Sequence, residues 1–289
     1  MKTIQNGGDH LKNKMAKMVF GAGFLGRRIA EQFDYRLVSK EEINPLNLTA
    51  LQSFLDREKS SIVINAIGKT GRPNIDWCET HKEETLESNV TVPINLSAEC
   101  SKRGIYFVHI GSGCIYSGFP EHGFTEKDTP NFYGPQFYAK TKIISELALA
   151  ELPGLILRIR MPIDNRSHDR NLIDKLRKYS CLISEPNSMT TVPHALNIIK
   201  SLIERRKQGI YNLVNPGMIS ASDIMSMYKT IVDPSHNFSL MSLNELDSKT
   251  LGKRSNCYLS TAKLASEGLE LPEIHNAVEE CLTGYRGVK

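Results

Sequence analysis

Short apolar runs alternate with amphipathic stretches through the first 160 residues. Lys17–Phe20 reads as a strand, followed by a glycine turn and a helix reaching about Phe33. Tyr35–Val38 reads as the next strand, Leu51–Lys59 as a helix and Ser61–Asn65 as a strand. A long helical stretch covers Lys82–Lys102, and Ile105–Ile110, Gln136–Glu151 and Leu155–Ile159 continue as strand, helix and strand. This βαβ rhythm predicts an α/β chain with a Rossmann-type, doubly wound parallel sheet covered on both faces. Ligands of such a sheet bind at the carboxyl ends of its strands.

After Pro162 the rhythm breaks. Asp164–Arg170 is polar and loop-like, Asn171–Tyr179 a short helix, Pro193–Arg206 a helix, and Ile210–Val214 a strand returning to the main sheet. Residues 217–289 are helices and loops with few strand signals. The expected division is a disordered extension at 1–16 and a dinucleotide-binding domain at 17–162, completed by about 190–214. A smaller, discontinuous C-terminal substrate lobe, 163–189 and 215–289, closes over the sheet.

Composition narrows the function classes. The chain has 289 residues and a net charge of +4, of which Lys2, Lys12, Lys14 and Lys17 against Asp9 supply +3. The body is therefore almost neutral, and no nucleic-acid partner is expected. No apolar run approaches the roughly 20 residues of a membrane helix, and no apolar signal-peptide core opens the chain. Six scattered cysteines show neither Cys-x-x-Cys nor zinc-ligand spacing. A reduced, cytoplasmic protein without a metal is expected.

The first chemical signal is Gly21-x-Gly23-x-x-Gly26, with Phe24 and Leu25 between the last two glycines. Placed between a strand and a helix, it fits a turn that brings backbone close to a pyrophosphate at a helix N-terminus. The second strand ends in Val38-Ser39-Lys40, with Arg36 just before it. A hydroxyl and cations where an NAD site usually carries a carboxylate favour the 2′-phosphate of NADP. Asn65, Ala66 and Gly68 end the third strand and are candidates for the adenosine side.

The second signal is Tyr138-x-x-x-Lys142. At i and i+4 the two side chains share a helix face, and a cation near a phenol is expected to pull its pKa down toward neutrality. Ser112, on the loop after an apolar run, can hold a substrate carbonyl beside that phenol. Cys114 reads either as a buried small hydrophobe or as a second proton-transfer group.

These motifs, in this order, make the chain resemble the extended short-chain dehydrogenase/reductases, in the group of dTDP-4-dehydrorhamnose reductase. Further runs are similar to the bifunctional UDP-4-keto-6-deoxyglucose 3,5-epimerase/4-reductases of UDP-L-rhamnose synthesis. They include Thr70-Gly71-Arg72-Pro73-Asn74-Ile75-Asp76-Trp77-Cys78-Glu79, Gly113-Cys114-Ile115, Arg158-x-Arg160-Met161-Pro162-Ile163, Pro186-Asn187-Ser188-Met189-Thr190 and Arg254-Ser255-Asn256. The glycine turn is one residue shorter than the group's usual Gly-x-x-Gly-x-x-Gly, and Ser112 stands where plant members carry threonine.

The resemblance implies NADPH as cofactor, a UDP-4-keto-6-deoxy sugar as substrate, and an upstream UDP-glucose 4,6-dehydratase supplied separately. It assigns Cys114 and Lys175 as the epimerase acid/base pair, and Tyr138, Lys142 and Ser112 to ketone reduction. It puts Asn89 in the proton-relay region and Pro162 beside the nicotinamide. Arg72, Asn74, Asp76 and Trp77 are expected at the mouth of the sugar site, with Asn187 and Arg254 toward uracil and pyrophosphate. Trp77 is alternatively a core anchor and Arg254 alternatively a structural ion pair. A homodimer is implied through the Tyr138 helix and the long helix before it. A reductase acting only on an already epimerised sugar, and a non-catalytic NADP-binding regulatory subunit, remain open as alternatives.

Overall fold

The structure, a computed structural model, describes residues 15–134 and 136–285. The extension expected at 1–16 lies outside these residues except for its last two, and Ala16 already opens the first strand.

The elements run β1 (Ala16–Phe20), α1 (Phe24–Phe33), β2 (Arg36–Val38), α2 (Leu48–Glu58), β3 (Ser60–Asn65), α3 (Trp77–Thr80) and α4 (Lys82–Leu86). A π-helical turn, Glu87–Thr91, joins α4 to α5 (Val92–Lys102). Then follow β4 (Tyr106–Ser112), α6 (Phe137–Ala150), β5 (Leu155–Ile159), α7 (Leu172–Leu176), β6 (Cys181–Leu182), α8 (Val192–Glu204) and β7 (Gly209–Asn212). The chain closes with α9 (Ala221–Ile231), β8 (Ser239–Leu240), α10 (Leu243–Lys249), α11 (Ala262–Ser266) and α12 (Ile274–Thr283).

The main sheet has the order β2-β1-β3-β4-β5-β7, and all its pairings are parallel. This is the doubly wound arrangement expected from the apolar pattern. Alternation along each strand feeds two cores. On one face Val19, Ile64, Val108 and Leu157 meet Ile29 of α1 and Leu196, Ile199 and Leu202 of α8. On the other, Met18, Phe20, Val63, Phe107 and Ile156 meet Leu51 and Leu55 of α2 and Leu96 and Cys100 of α5. The order reverses at β1, whose neighbours are β2 and β3, so the crevice falls at the carboxyl end of β1.

A further core gathers Ile163, Ile173, Leu176, Met189, Ile224, Ile274 and Val278 from the chain's later segments. The buried pair Arg28 Nε–Asp164 Oδ2, 2.7 Å, ties this body to α1. Asp164 is fully enclosed. Among the described residues, no helix is long and apolar enough to cross a membrane.

Candidate active site

The glycine turn is built for close approach. Gly21 has φ +106°, a conformation that disfavours side chains. A Cβ on Gly26 would lie 1.8 Å from the Gly21 carbonyl oxygen, whereas one on Gly23 would meet open space. Gly23 caps α1 without a side-chain bond, and the first turn carries no acidic residue. Its free N–H groups face the crevice end of β1, a fit for the pyrophosphate of a dinucleotide. Beside it, Leu25 and Pro162 line a small apolar cavity of about 20 Å³ with Ile110 and Ile159.

The cations expected at the end of β2 are only partly available. Arg36 is engaged by both Glu42 and Glu58, and Ser39 holds the neighbouring Glu41 carboxyl below its usual range. Lys40 is exposed and is the remaining candidate for a 2′-phosphate. Asn65 is also occupied. Its Oδ1 accepts from Ile67 N at 3.0 Å and its Nδ2 lies 3.1 Å from His109 Nδ1. It shapes the strand end, while Ala66 packs under the turn, 3.4 Å from where a Gly26 Cβ would stand.

Ser112 is the last residue of β4 rather than a loop residue, which fixes its backbone in the sheet. The Cys114 N–H donates to Ser112 Oγ at 3.1 Å, so the two residues share one tight turn. Tyr138, in the first turn of α6, lies close enough to Ser112 and Cys114 for both to act on its phenol. Cys114 is half-buried, while Tyr138 and Lys142 are 6% exposed. Asn89 links this helix to the neighbouring loop. Its Oδ1 accepts from Lys69 N at 2.7 Å, and its Nδ2 donates to Lys69 O at 3.0 Å and Thr141 Oγ1 at 3.1 Å. The π turn widens the helix at this position. Gly68 borders the same corner, where a Cβ would stand 3.5 Å from both Asn89 Oδ1 and Lys142 Nζ.

The electrostatics reverse one expectation. Burial pushes the Tyr138 phenol well above its usual range, with Cys114 adding to the rise and Ser112 and Arg160 opposing it. Burial also drives Lys142 down to about 8 against the charges of Glu146 and Cys114. Desolvation thus dominates, and the Tyr138 phenol keeps its proton. His109, fully buried, is pushed well below its usual value by desolvation and then by Lys142. Because Asn65 presents its NH2 group, the neutral ring accepts at Nδ1 and carries its proton on Nε2.

Lys175 lies on α7, close enough to Arg170 and Asp169 to feel their charges. Burial lowers its pKa, Arg170 lowers it further, and Asp169 opposes. Arg170 donates to Thr70 Oγ1 at 3.0 Å and also to the Gly71 carbonyl, and Arg72 pairs with Asp169 at 3.0 Å. The loop 70–77 and the segment before α7 therefore share one rim carrying three cations against Asp169. Asn74 Oδ1 caps Asp76 N at 2.8 Å. Trp77 is neither core anchor nor free platform: it stacks on His81 with centroids 3.9 Å apart, under Lys69.

Two expected nucleotide contacts are otherwise engaged. Arg254 pairs with Asp76 at 2.8 Å, the ion-pair alternative, and so helps hold the rim loop. Asn187 is 2% exposed. Its Oδ1 accepts from Arg160 at 2.7 Å and from Cys257 N at 3.0 Å, and its Nδ2 donates to Asn256 at 2.7 Å. This amide is engaged at both its oxygen and its nitrogen by neighbouring segments of the fold.

Sequence reasoning missed Arg158 and Arg160, although it quoted their run. Two arginines leaving an apolar strand were the available signal, since a buried guanidinium requires partners. Arg158 finds Glu146, Nε and Nη2 each donating at 2.8 Å. Among the described residues, no cluster of His, Cys, Asp or Glu is placed to hold a metal ion.

A family model described as "RmlD substrate binding domain" matches residues 15–286. The chain belongs to this family. Within it, the chain is 39% identical over 232 residues to an Arabidopsis thaliana protein named as a bifunctional dTDP-4-dehydrorhamnose 3,5-epimerase/dTDP-4-dehydrorhamnose reductase, covering 78% of this chain and 77% of that one. It is 37% identical over 238 residues to a trifunctional UDP-glucose 4,6-dehydratase/UDP-4-keto-6-deoxy-D-glucose 3,5-epimerase/UDP-4-keto-L-rhamnose-reductase of the same plant. That match spans 80% of this chain but only 35% of the longer protein. A solved UDP-rhamnose synthase from Acanthamoeba polyphaga mimivirus superposes with a TM-score of 0.85 at 28% identity, covering 93% of this chain and 99% of its own.

Proposed function

We propose that the chain is an NADPH-dependent sugar-nucleotide enzyme that epimerises C3 and C5 of UDP-4-keto-6-deoxyglucose and then reduces C4, giving UDP-L-rhamnose. The observation that carries this reading is the turn in which Cys114 donates its N–H to Ser112 Oγ, beside a protonated Tyr138.

A ketone at C4 acidifies the hydrogens at C3 and C5, because the carbanion delocalises onto O4 as an enolate. Ser112 and Tyr138 supply the donors for that oxygen. Lys175, its ammonium destabilised by burial and by Arg170, and the Cys114 thiol supply base and acid on opposite faces of the sugar. Each epimerisation removes one C–H proton and returns one to the other face, with no net redox change. NADPH, when bound, supplies the hydride for C4. Tyr138 gives its proton to O4, for which a protonated phenol is the required form. Lys142 orients the phenol and the ribose. The Gly21–Gly26 turn and Lys40 hold the phosphates, with Pro162 beside the nicotinamide. Arg72, Arg170 and Lys175 give the rim a positive field suited to a nucleoside diphosphate.

Supply of the 4-keto sugar requires a 4,6-dehydratase activity. Apolar Leu86 of α4 and Ile144 and Leu147 of α6 are 42%, 50% and 54% exposed, which supports pairing of two copies through these helices. Six free cysteines support a reducing, cytoplasmic setting.

The test is Cys114→Ala with UDP-4-keto-6-deoxyglucose in D2O, followed by proton NMR. The variant should lose deuterium uptake at C3 and C5 while still binding NADPH and reducing an already epimerised 4-keto sugar. Unchanged uptake would remove Cys114 from the mechanism and leave a 4-reductase.

A further inference from the structure

Arg160 follows β5 directly and is 1% exposed. Every acceptor it bonds is a neutral group: Nε donates to Ser188 O at 3.1 Å. Nη1 donates to Gly113 O at 3.0 Å, Ser255 Oγ at 2.9 Å and Cys257 Sγ at 3.0 Å. Nη2 donates to Asn187 Oδ1 at 2.7 Å and Ser255 O at 3.0 Å. Among the described residues no carboxylate pairs with it, in contrast to Arg158 and its Glu146. An enclosed guanidinium without a counter-ion is costly to fold around. It is also a fixed source of positive potential for any anion that forms nearby.

Its position gives that potential an address. The Gly113–Cys114 peptide is held at both ends, its oxygen by Arg160 and its N–H by Ser112 Oγ. With Ser112 Oγ accepting from Cys114, the hydroxyl proton remains free to donate to a substrate oxygen. Gly113 must be glycine for this contact, because a Cβ there would lie 2.9 Å from Arg160 Cγ and 2.5 Å from Leu259. Through Gly113 O the guanidinium adjoins the turn that carries both Ser112 and Cys114, the residues assigned to the two half-reactions.

We infer that Arg160 is a positioning residue for this chemistry, clamping the peptide between Ser112 and Cys114 and backing the enolate and alkoxide oxygen with fixed positive charge. The inference rests on the function proposed above. Arg160→Gln keeps N–H donors and removes the charge, and Arg160→Lys keeps the charge and removes the planar fork. Both should bind NADPH within about 3-fold of wild type. The Gln variant should lose C3/C5 deuterium exchange about 100-fold and the Lys variant no more than about 10-fold, in line with removal of transition-state stabilisation.

Equal losses in the two variants, or full exchange in Gln, would reduce Arg160 to a packing residue and overturn the inference. If Gln fails to fold, the Lys variant decides alone: exchange within about 10-fold of wild type supports the role of charge, and a loss of about 100-fold or more refutes it. A wild-type chain that exchanges no deuterium would instead defeat the epimerase reading. The same Lys and Gln comparison would then be read on kcat for reduction of UDP-4-keto-rhamnose.

Discussion

Replacing Lys142 with methionine should make the protein more stable and nearly inactive. The ammonium is 6% exposed, and burial takes its pKa from the ordinary 10.5 to about 8, with Glu146 and Cys114 only partly offsetting the desolvation. At about 1.36 kcal/mol per pH unit, that fall corresponds to about 3 kcal/mol of folding free energy given up to keep the cation enclosed. Below pH 8 both folded and unfolded chains carry the proton and the whole cost is present. Between about 8 and 10.5 the folded chain has released the proton and the unfolded chain retains it, so stability rises with pH. Above 10.5 the cost has vanished. Methionine matches the stem in length and carries no charge, so the variant should exceed wild type by about 3 kcal/mol at pH 7. The gap should close toward pH 10. Urea unfolding followed by the fluorescence of Trp77, the sole tryptophan, measures the gap at pH 7, 8, 9 and 10. Comparing the two chains cancels the other groups that titrate there. The same substitution should slow C4 reduction at least about 100-fold. A stability difference that is flat across this range would refute the claim that burial of the Lys142 charge sets its pKa.

Gly26→Ala places a methyl 1.8 Å from the Gly21 carbonyl oxygen and should weaken NADPH binding at least about 10-fold by displacing the turn. Fluorescence titration reads this, and an unchanged Kd would show that the turn does not hold the cofactor. Glu146→Ala strips Arg158 of its two 2.8 Å bonds and should destabilise the fold by about 3–5 kcal/mol in urea unfolding; a loss under about 1 kcal/mol would mean the guanidinium finds other partners. Asn187→Ala should lower stability by about 1–3 kcal/mol through unpaired buried groups, leaving KM for the UDP-sugar within about 2-fold; a large rise in KM with intact stability would return Asn187 to the substrate.

Much of this site was readable in one dimension because its logic is local. Gly21, Gly23 and Gly26 sit on a single strand-to-helix turn, and Tyr138 and Lys142 on one face of α6, so spacing alone brought them together. Ser112 and Cys114 share a turn for the same reason. The long helical stretch at 82–102 was likewise visible, but its π turn at Glu87–Thr91 was not, since one extra residue in a single turn shifts the apolar pattern too little to stand out. Misassignments fell on side chains whose role depends on a distant partner. Arg36 looked free for a phosphate until Glu58, on a different element, was seen to engage it. Asn187 looked like a ligand contact until Arg160, Cys257 and Asn256 enclosed it.

The sequence by itself determined the parallel α/β sheet, the glycine turn between β1 and α1, and the shared helix face of Tyr138 and Lys142, because each follows from short-range periodicity and the geometry of a single turn or helix. Only the tertiary structure decided which charges are available and which are enclosed. It raised the Tyr138 pKa and lowered those of Lys142 and Lys175, and among the described residues it left Arg160 without a carboxylate. Desolvation depends on everything packed around a group, and that surrounding is assembled from segments far apart along the chain.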